Sequence, residues 1–242
     1  MKNILLITKK ELASFFQTPI AYIFLIAYVV LSSVFTFYIG SFFEKGQAGM
    51  QAFFQFQPWI FLLFISAITM RMWSEEKKTG TIELLLTLPF KELDLIIGKF
   101  LGAFLFVLIS MVFTFPIWIS VNILGDPDNS VIIASYIGNL LIASAFISIG
   151  LCLSSFTKNQ IVSFIISIMI FFIYLLGGTN VVLDFFNQNL PMLADTVSSI
   201  SVLGHFENFT RGAVEIKSIV FFLLTIVFWT AINYYSIRYN KA

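Results

Sequence analysis

Charge is scarce in this chain. Asp, Glu, Lys and Arg make up 11% of its 242 residues, against about 25% in a soluble domain. With 59% hydrophobic residues, it has too little polar side chain to cover a water-facing surface, and a bilayer is its expected solvent. The net charge of +1 comes without a basic run, which leaves no nucleic-acid partner. Cysteine is nearly absent as well. The single Cys152 excludes an intramolecular disulfide and a multi-cysteine metal site, and its apolar surroundings mark it as a small packed residue. The only histidine is His205. It is two residues from Glu207, so the two do not share a helix face and no metal site is expected there. Lys9, Lys10 and Glu11 interrupt the first apolar run, 4–7, and no small-residue cleavage site follows. The N-terminus therefore does not read as a secretory signal.

What the chain does have is apolar length. A membrane helix needs about 20 mostly apolar residues, and uncharged runs of that size occur six times. The expected spans are 20–42, 54–72, 99–122, 132–155, 160–182 and 217–237. Thirty Phe and four Trp suit lipid-facing and interfacial surface. The fold class is an all-α polytopic membrane protein, a single transmembrane domain over 1–242 with no internal repeat.

Orientation follows from Lys and Arg. With the N-terminus in the cytosol, the inner side holds Lys2, Lys9, Lys10, Arg71, Lys77, Lys78, Lys91, Lys99, Lys158, Arg238 and Lys241. The outer side holds Lys45, Arg211 and Lys217. The bias places both termini in the cytosol. Residues 3–16 precede the first span, with Ile4, Leu5, Leu12, Phe15 and Phe16 on one side and Lys10 and Ser14 opposite. Pro19 then breaks the helix. This reads as an interfacial helix on the inner leaflet, or as a helical extension of span 1.

The spans carry no Asp, Glu, His or Arg at mid-membrane depth, which counts against an ion-coupled carrier or proton relay. Two membrane aspartates for proteolysis are also missing. Gly98-Lys99-Phe100 has neither the upstream glycine nor the Ser/Thr of a phosphate loop. Any work must draw energy from another chain. Gly98 and Gly102 in span 3, and Ser144, Ser148 and Cys152 in span 4, recur at four-residue spacing. Small residues let membrane helices approach closely, within one subunit or at a dimer seam.

The sparse charge is concentrated. Residues 71–99 hold Arg71, Lys77, Lys78, Lys91 and Lys99 with Glu75, Glu76, Glu83, Glu92 and Asp94. Span 2 is expected to continue as helix past Met70 to Lys78, where Gly80 interrupts it. A short helix over 81–88 follows, with Thr81 near its cap and Glu83 in its first turn, where an acid suits the positive helix end. Pro89 ends it. Leu84, Leu85, Leu86 and Leu88 are apolar for a free loop. They either rest on the inner leaflet, or Leu85 and Leu88 face the membrane base while the others face a partner cleft.

The stretch Glu75-Glu76-Lys77-Lys78-Thr79-Gly80-Thr81-Ile82-Glu83-Leu84-Leu85-Leu86-Thr87-Leu88-Pro89 resembles the coupling-helix region of ABC type-2 exporter permeases. The shared elements are the acid-rich lead, the Gly-Thr-x-Glu-x-Leu core and the closing Pro. Pro58-Trp59, 67–71, 98–103, Gly125-Asp126-Pro127, 155–160, His205-Phe206, Phe209 and Arg211-Gly212 extend the resemblance over most of the chain. They place it nearest the permease subunit of the gliding-motility ABC transporter. The resemblance implies that the segment 73–97 docks on a cytosolic ABC ATPase through Glu75, Glu76, Gly80, Thr81, Glu83, Leu85 and Pro89. ATP and Mg would be bound by that partner, with no cofactor, metal or catalytic residue in this chain. It also implies a re-entrant outer hairpin over 184–216, a lid with Pro191, His205, Phe206, Phe209, Arg211 and Gly212 at the outer gate. A surface loop with one amphipathic helix is the plainer reading of that segment. Asn208-Phe209-Thr210 fits a glycosylation sequon, which matters only on a eukaryotic secretory route.

The expected function is the permease subunit of an ATP-driven exporter in a bacterial inner membrane, as a homodimer or beside a sister permease. The substrate is open, and Phe-rich walls without fixed charge lean towards an amphipathic or lipid-linked one. One alternative is mechanotransmission to an extracytoplasmic protein partner, through the external acidic loops and without transport. Another is a membrane scaffold or channel outside the ABC class.

Overall fold

The computed structural model describes residues 2–40, 42, 49–87, 90–177, 179, 182, 184, 188 and 199–239. The regular elements among them are helices, and the chain order explains their boundaries. Helix α1 (Lys2–Gln17) stops at Thr18, whose extended φ of −108° and ψ of 133° is what a following proline imposes. Pro19 then opens α2 (Pro19–Val34), where its fixed φ and missing N–H cost nothing. A π-turn, Phe35–Ile39, extends α2. Helix α3 is Gln51–Thr69.

The expected continuation of α3 to Lys78 is broken. Residues 70–73 form a turn before α4 (Ser74–Thr79). Gly80 separates α4 from α5 (Thr81–Thr87). The next helix, α6 (Glu92–Val112), begins seven residues before the expected start of span 3, with Glu92 and Asp94 in its first turn. It breaks at 113–114, and α7 (Phe115–Leu124) resumes with Pro116 beside its start. Proline cannot continue a helix without losing a backbone bond, a signal present in the sequence and outweighed by the length of the apolar run.

Asp128 caps α8 (Asn129–Ser154) by accepting from Ser130 N at 2.9 Å, and Asn159 caps α9 (Gln160–Leu176) through Ile161 N at 2.9 Å. Both are standard N-cap chemistry. Helix α10 (Val202–Thr210) and α11 (Ile216–Tyr239) complete the chain. Gly177 caps α9, whose last residue, Leu176, lies six residues before the end expected for span 5.

Among the described residues, five helical stretches are long and apolar enough to cross a membrane: Pro19–Ile39, Gln51–Thr79, Glu92–Leu124, Asn129–Ser154 and Ile216–Tyr239. Helix α9 is apolar but shorter, at 17 residues. Within the bundle α8 is central and packs on α3, α6, α9, α10 and α11. Its most apolar window is 83% buried, against 22% for the α2 stretch and 17% for α11. The last two therefore turn most of their apolar surface outward, as lipid-facing helices do.

Small residues set the closest helix contacts, and these lie inside one chain. A Cβ on Gly98 would stand 2.6 Å from Ile7 Cγ2, and one on Gly102 would stand 2.7 Å from Glu11 Cβ. The small-residue edge of α6 is therefore the seat of α1. On α8, a Cβ at Gly150 would come within 2.9 Å of Thr69 Cβ on α3. Gly98→Leu should lift α1 from α6, since overpacking costs about 1–3 kcal/mol. Trypsin cleavage at Lys9 and Lys10 should then rise roughly tenfold. An unchanged cleavage rate in the variant would refute this seating.

Candidate functional site

Helices α4 and α5 meet in a bend at one end of the bundle. Its pivot is Gly80, at φ 73°. L-residues pay roughly 1–2 kcal/mol in this left-handed region, and glycine does not. Nothing lies within 4 Å of a Cβ built at Gly80, so the requirement for glycine is purely one of backbone. Three hydroxyl contacts brace the bend. Thr79 Oγ1 donates to the Glu75 carbonyl at 2.9 Å, Thr79 and Thr81 share a hydrogen bond at 2.9 Å, and Thr81 Oγ1 reaches the Glu76 carbonyl at 3.4 Å.

Helix α5 is anchored by one side and presents the other. Ile82 is buried and Leu85 half-buried, while Thr81, Glu83 and Leu84 are exposed. Ile82 thus anchors α5, and Leu88 and Pro89 lie outside the described residues. Leu84, at 68% exposure, is one of the leucines expected to face a partner cleft. A cavity of about 520 Å³ opens between Lys10 of α1, Glu75 and Thr79 of α4, and Leu84 and Leu85 of α5.

The root of this bend is a buried ionic joint. Lys99 of α6 is 1% exposed. Its Nζ donates to Glu76 Oε1 of α4 at 2.7 Å, to Glu11 Oε1 of α1 at 3.0 Å and to the Met72 carbonyl at 2.9 Å. It also lies 4.8 Å from the ring centroid of Trp73, a cation–π contact. Three donors and three acceptors satisfy the ammonium, and three helices distant in sequence meet at one atom. Burial pushes the Glu76 carboxyl above its ordinary value, and the Lys99 ammonium pulls it back. The ionised state of Glu76 thus depends on its partner.

Beside it, Arg71 stacks its guanidinium 4.9 Å from the Phe15 ring and donates to Thr18 Oγ1 at 3.2 Å. The neighbouring Lys77 donates instead to the Ser155 carbonyl at the end of α8, and the Ser155 hydroxyl meets Ser236 of α11 at 2.8 Å. Adjacent residues of α4 therefore grip two different parts of the bundle, α1 with α6 through Glu76, and α8 with α11 through Lys77.

Of the expected coupling residues, Glu75, Gly80, Thr81, Glu83 and Leu85 lie together on the bend. Glu76 is turned inward as a structural tie. Lys99, Glu11 and Lys77 were not singled out from sequence. The legible signal was a lone cation opening the apolar run of α6, which implies a carboxylate partner without naming it.

The second cluster sits at the other end, on α10. His205, Phe206 and Phe209 are buried along one side. The His205 ring stacks on Phe221 at 4.3 Å, with Ser218 Oγ 3.1 Å from Nδ1 and the Ser199 carbonyl 3.0 Å from Nε2. The carbonyl only accepts, so Nε2 is the donor in that bond. Phe209 presses on Gly138 of α8, where a Cβ would stand 2.7 Å from the Phe209 Cβ. Gly212 has φ 82° and ends the segment in the left-handed conformation. Arg211 is exposed and pairs with Glu207 at 3.2 Å, a contact worth little in water. Pro191 and nearly all of 184–198 lie outside the described residues. His205, Phe206 and Phe209 are therefore packing residues of α10, and Arg211 and Gly212 are the described gate residues that are exposed.

Residues 5–238 match the family described as ABC-2 family transporter protein. No curated protein matches the chain.

Proposed function

The chain belongs to the ABC-2 transporter family, and from that membership we propose that it is the six-span permease subunit of an ATP-driven exporter, worked by a separate cytosolic ATPase. A multi-pass membrane component of this family carries no ATP-hydrolysing machinery of its own and implies a partner that does. ATP and Mg belong to that partner in this reading. The excess of Lys and Arg at the end carrying α1, α4 and α5 supports a cytosolic placement of that end and of both termini, in a bacterial inner membrane. Helix α9, at 17 residues, is within the roughly 17–25 residue range of membrane helices and supplies the sixth span.

The observation that carries the reading is the α4–α5 bend. Its exposed face of Thr81, Glu83 and Leu84 is what a partner groove would hold, and its buried side leads through Glu76 and Lys77 into both parts of the bundle. A push on α5 reaches α1 and α6 through Lys99, and α8 and α11 through Ser155. Rigid elements joined at a few points move as bodies. Two copies, or this chain and a sister permease, would enclose the path. The resemblance to gliding-motility permeases supports a subtype and no more.

Purification from native membranes in mild detergent tests the assignment. A nucleotide-binding subunit is expected to co-purify, and its hydrolysis in liposomes should respond to the transported amphiphile. Hydrolysis that responds only to an extracytoplasmic protein would replace export by mechanotransmission. Isolation with no nucleotide-binding subunit would overturn the proposal in favour of a scaffold or channel.

A further inference from the structure

At the end of the bundle away from α4 and α5, a pocket of about 270 Å³ opens between the first turns of α3 and one side of α10. Gln51, Gln55 and Trp59 line it from α3, Leu203, Phe206, Glu207 and Thr210 from α10, and Arg211 from the residue that follows. Helix α3 is otherwise strongly apolar. The two glutamines are exposed, and neither is hydrogen-bonded to a described residue.

Their spacing carries the argument. Residues 51, 55, 59 and 63 follow one i, i+4 ridge of the helix. Down that ridge the side chains run Gln, Gln, Trp and an exposed Leu63. The sequence of chemistries is polar head, amphipathic belt and apolar tail, over about 18 Å at 1.5 Å per residue. An amphiphile lying along the ridge would meet each of its own parts in order. Trp at the belt position is where an indole settles at a membrane interface.

The head of the pocket selects among polar groups. Glu207 and Arg211 pair at 3.2 Å and are 61% and 73% exposed on their side chains, so the lining has no net charge and does not favour an anion. Carboxamides both donate and accept, which matches hydroxyl groups, each of which also does both. The indole of Trp59 offers an apolar face to the C–H side of a ring. The volume is below the roughly 300–1,000 Å³ of drug-sized sites, enough for a headgroup and not for a whole lipid.

We propose that this pocket holds the polyhydroxylated, sugar-like headgroup of an amphipathic molecule, as the outer station of the transported substrate. The assignment of substrate rests on the permease reading above, and the binding itself does not. The chain, with whatever subunits accompany it, would be placed in nanodiscs of phosphatidylcholine doped with glucosyl dioleoylglycerol, dioleoyl phosphatidylethanolamine or dioleoyl phosphatidylglycerol. Bound lipid would be read by native mass spectrometry. The glucosyl lipid should bind about tenfold more tightly than the other two, and Gln55→Leu or Trp59→Ala should remove that preference. Displacement by free maltose would assign the site to the sugar alone. Retained preference without displacement would assign it to the lipid-linked form. Equal binding of the three lipids, or preference for either phospholipid, would overturn the proposal. So would wild-type preference in both variants. Thermal melting of each variant, read through the thiol of Cys152, distinguishes lost binding from lost folding. A failure here would leave ATPase association untouched, and loss of that association would leave the lipid result standing.

Discussion

Lys99→Met should lower the melting temperature by on the order of 10 °C and disconnect nucleotide state from the rest of the bundle. Removing one member of a buried ion pair costs about 3–5 kcal/mol, because the partner charge is left without compensation, and 1 kcal/mol shifts the midpoint of a domain this size by about 2–4 °C. Here two carboxylates are stranded. Glu11 and Glu76 have side chains only 13% and 16% exposed, and both point at the vacated Nζ position. The assay is built into the chain, since Cys152 is its only thiol and is buried in α8. A thiol-reactive dye reports the moment α8 opens.

The loss should depend on pH, and the sign is fixed. Burial already raises the Glu76 carboxyl, and without Lys99 only the weaker pull of Lys10 opposes it. A carboxyl whose folded value is raised favours the fold below its unfolded value and loses that contribution as pH rises through the folded value. The variant should therefore be least impaired near pH 5 and most impaired near pH 8. A deficit that is flat with pH would mean that the ionic joint is not the cause.

A second variant separates folding from positioning. Lys99→Met combined with Glu11→Gln and Glu76→Gln removes every charge of the joint, and replacing a buried ion pair with neutral groups is often close to neutral in stability. The triple variant should recover most of the melting temperature. It should not recover the mechanical link, because α4 is then tied to α1 and α6 by no charge-assisted bond. Recovery of both properties would make Lys99 a folding residue only.

The sequence reached the elements more easily than the joints between them. Apolar runs, the Thr18-Pro19 break and the bend at Gly80 are local signals, each decided within a few residues. The turn at 70–73 is not, because Met70, Arg71, Met72 and Trp73 carry no helix breaker. Trp73 is drawn into the bundle against Lys99, and tertiary packing overrides local preference there. The interruption at 113–114 was legible in Pro116, and the α1–α6 contact in the spacing of Gly98 and Gly102. What spacing could not supply was the identity of the partner across the gap. Lys99 and Glu11 are 88 residues apart in the chain, and neither carries a mark of the other. At the far end, His205, Phe206 and Phe209 were singled out as a gate, and the packing of α10 on α8 shows why such residues are large and apolar. The groove facing outward is lined by Phe206 and Arg211 together with Gln51, Gln55 and Trp59, and the two glutamines are what a search for charge or motif passes over.

The bend itself supports the sharpest functional expectation. Glu83→Lys and Gly80→Pro should each abolish nucleotide-driven movement of the bundle while leaving it folded. Glu83 is exposed in the first turn of α5, so charge reversal there alters what a partner groove meets and little else. It also places a cation at the positive end of a helix, an unfavourable change of about 0.3–1 kcal/mol. Gly80→Pro acts on geometry. Proline fixes φ near −65°, and the native value is 73°, so α5 must leave α4 in a new direction. Gly80→Asn is the control, because asparagine tolerates the left-handed region and no atom obstructs its Cβ. In a Val214→Cys background, at an exposed position between α10 and α11, the labelling rate should change between ATP-bound and nucleotide-free complexes. Gly80→Asn should keep that change, and Gly80→Pro and Glu83→Lys should reduce it about tenfold or more, with melting, read at Cys152 in the same substitutions without the Val214→Cys change, within a few degrees of the parent. Nucleotide-dependent labelling that survives both substitutions would remove α5 from the path between the ATPase and the bundle. The pairing of exposed Leu84 and Glu83 with the Lys99 joint would then be a feature of folding alone.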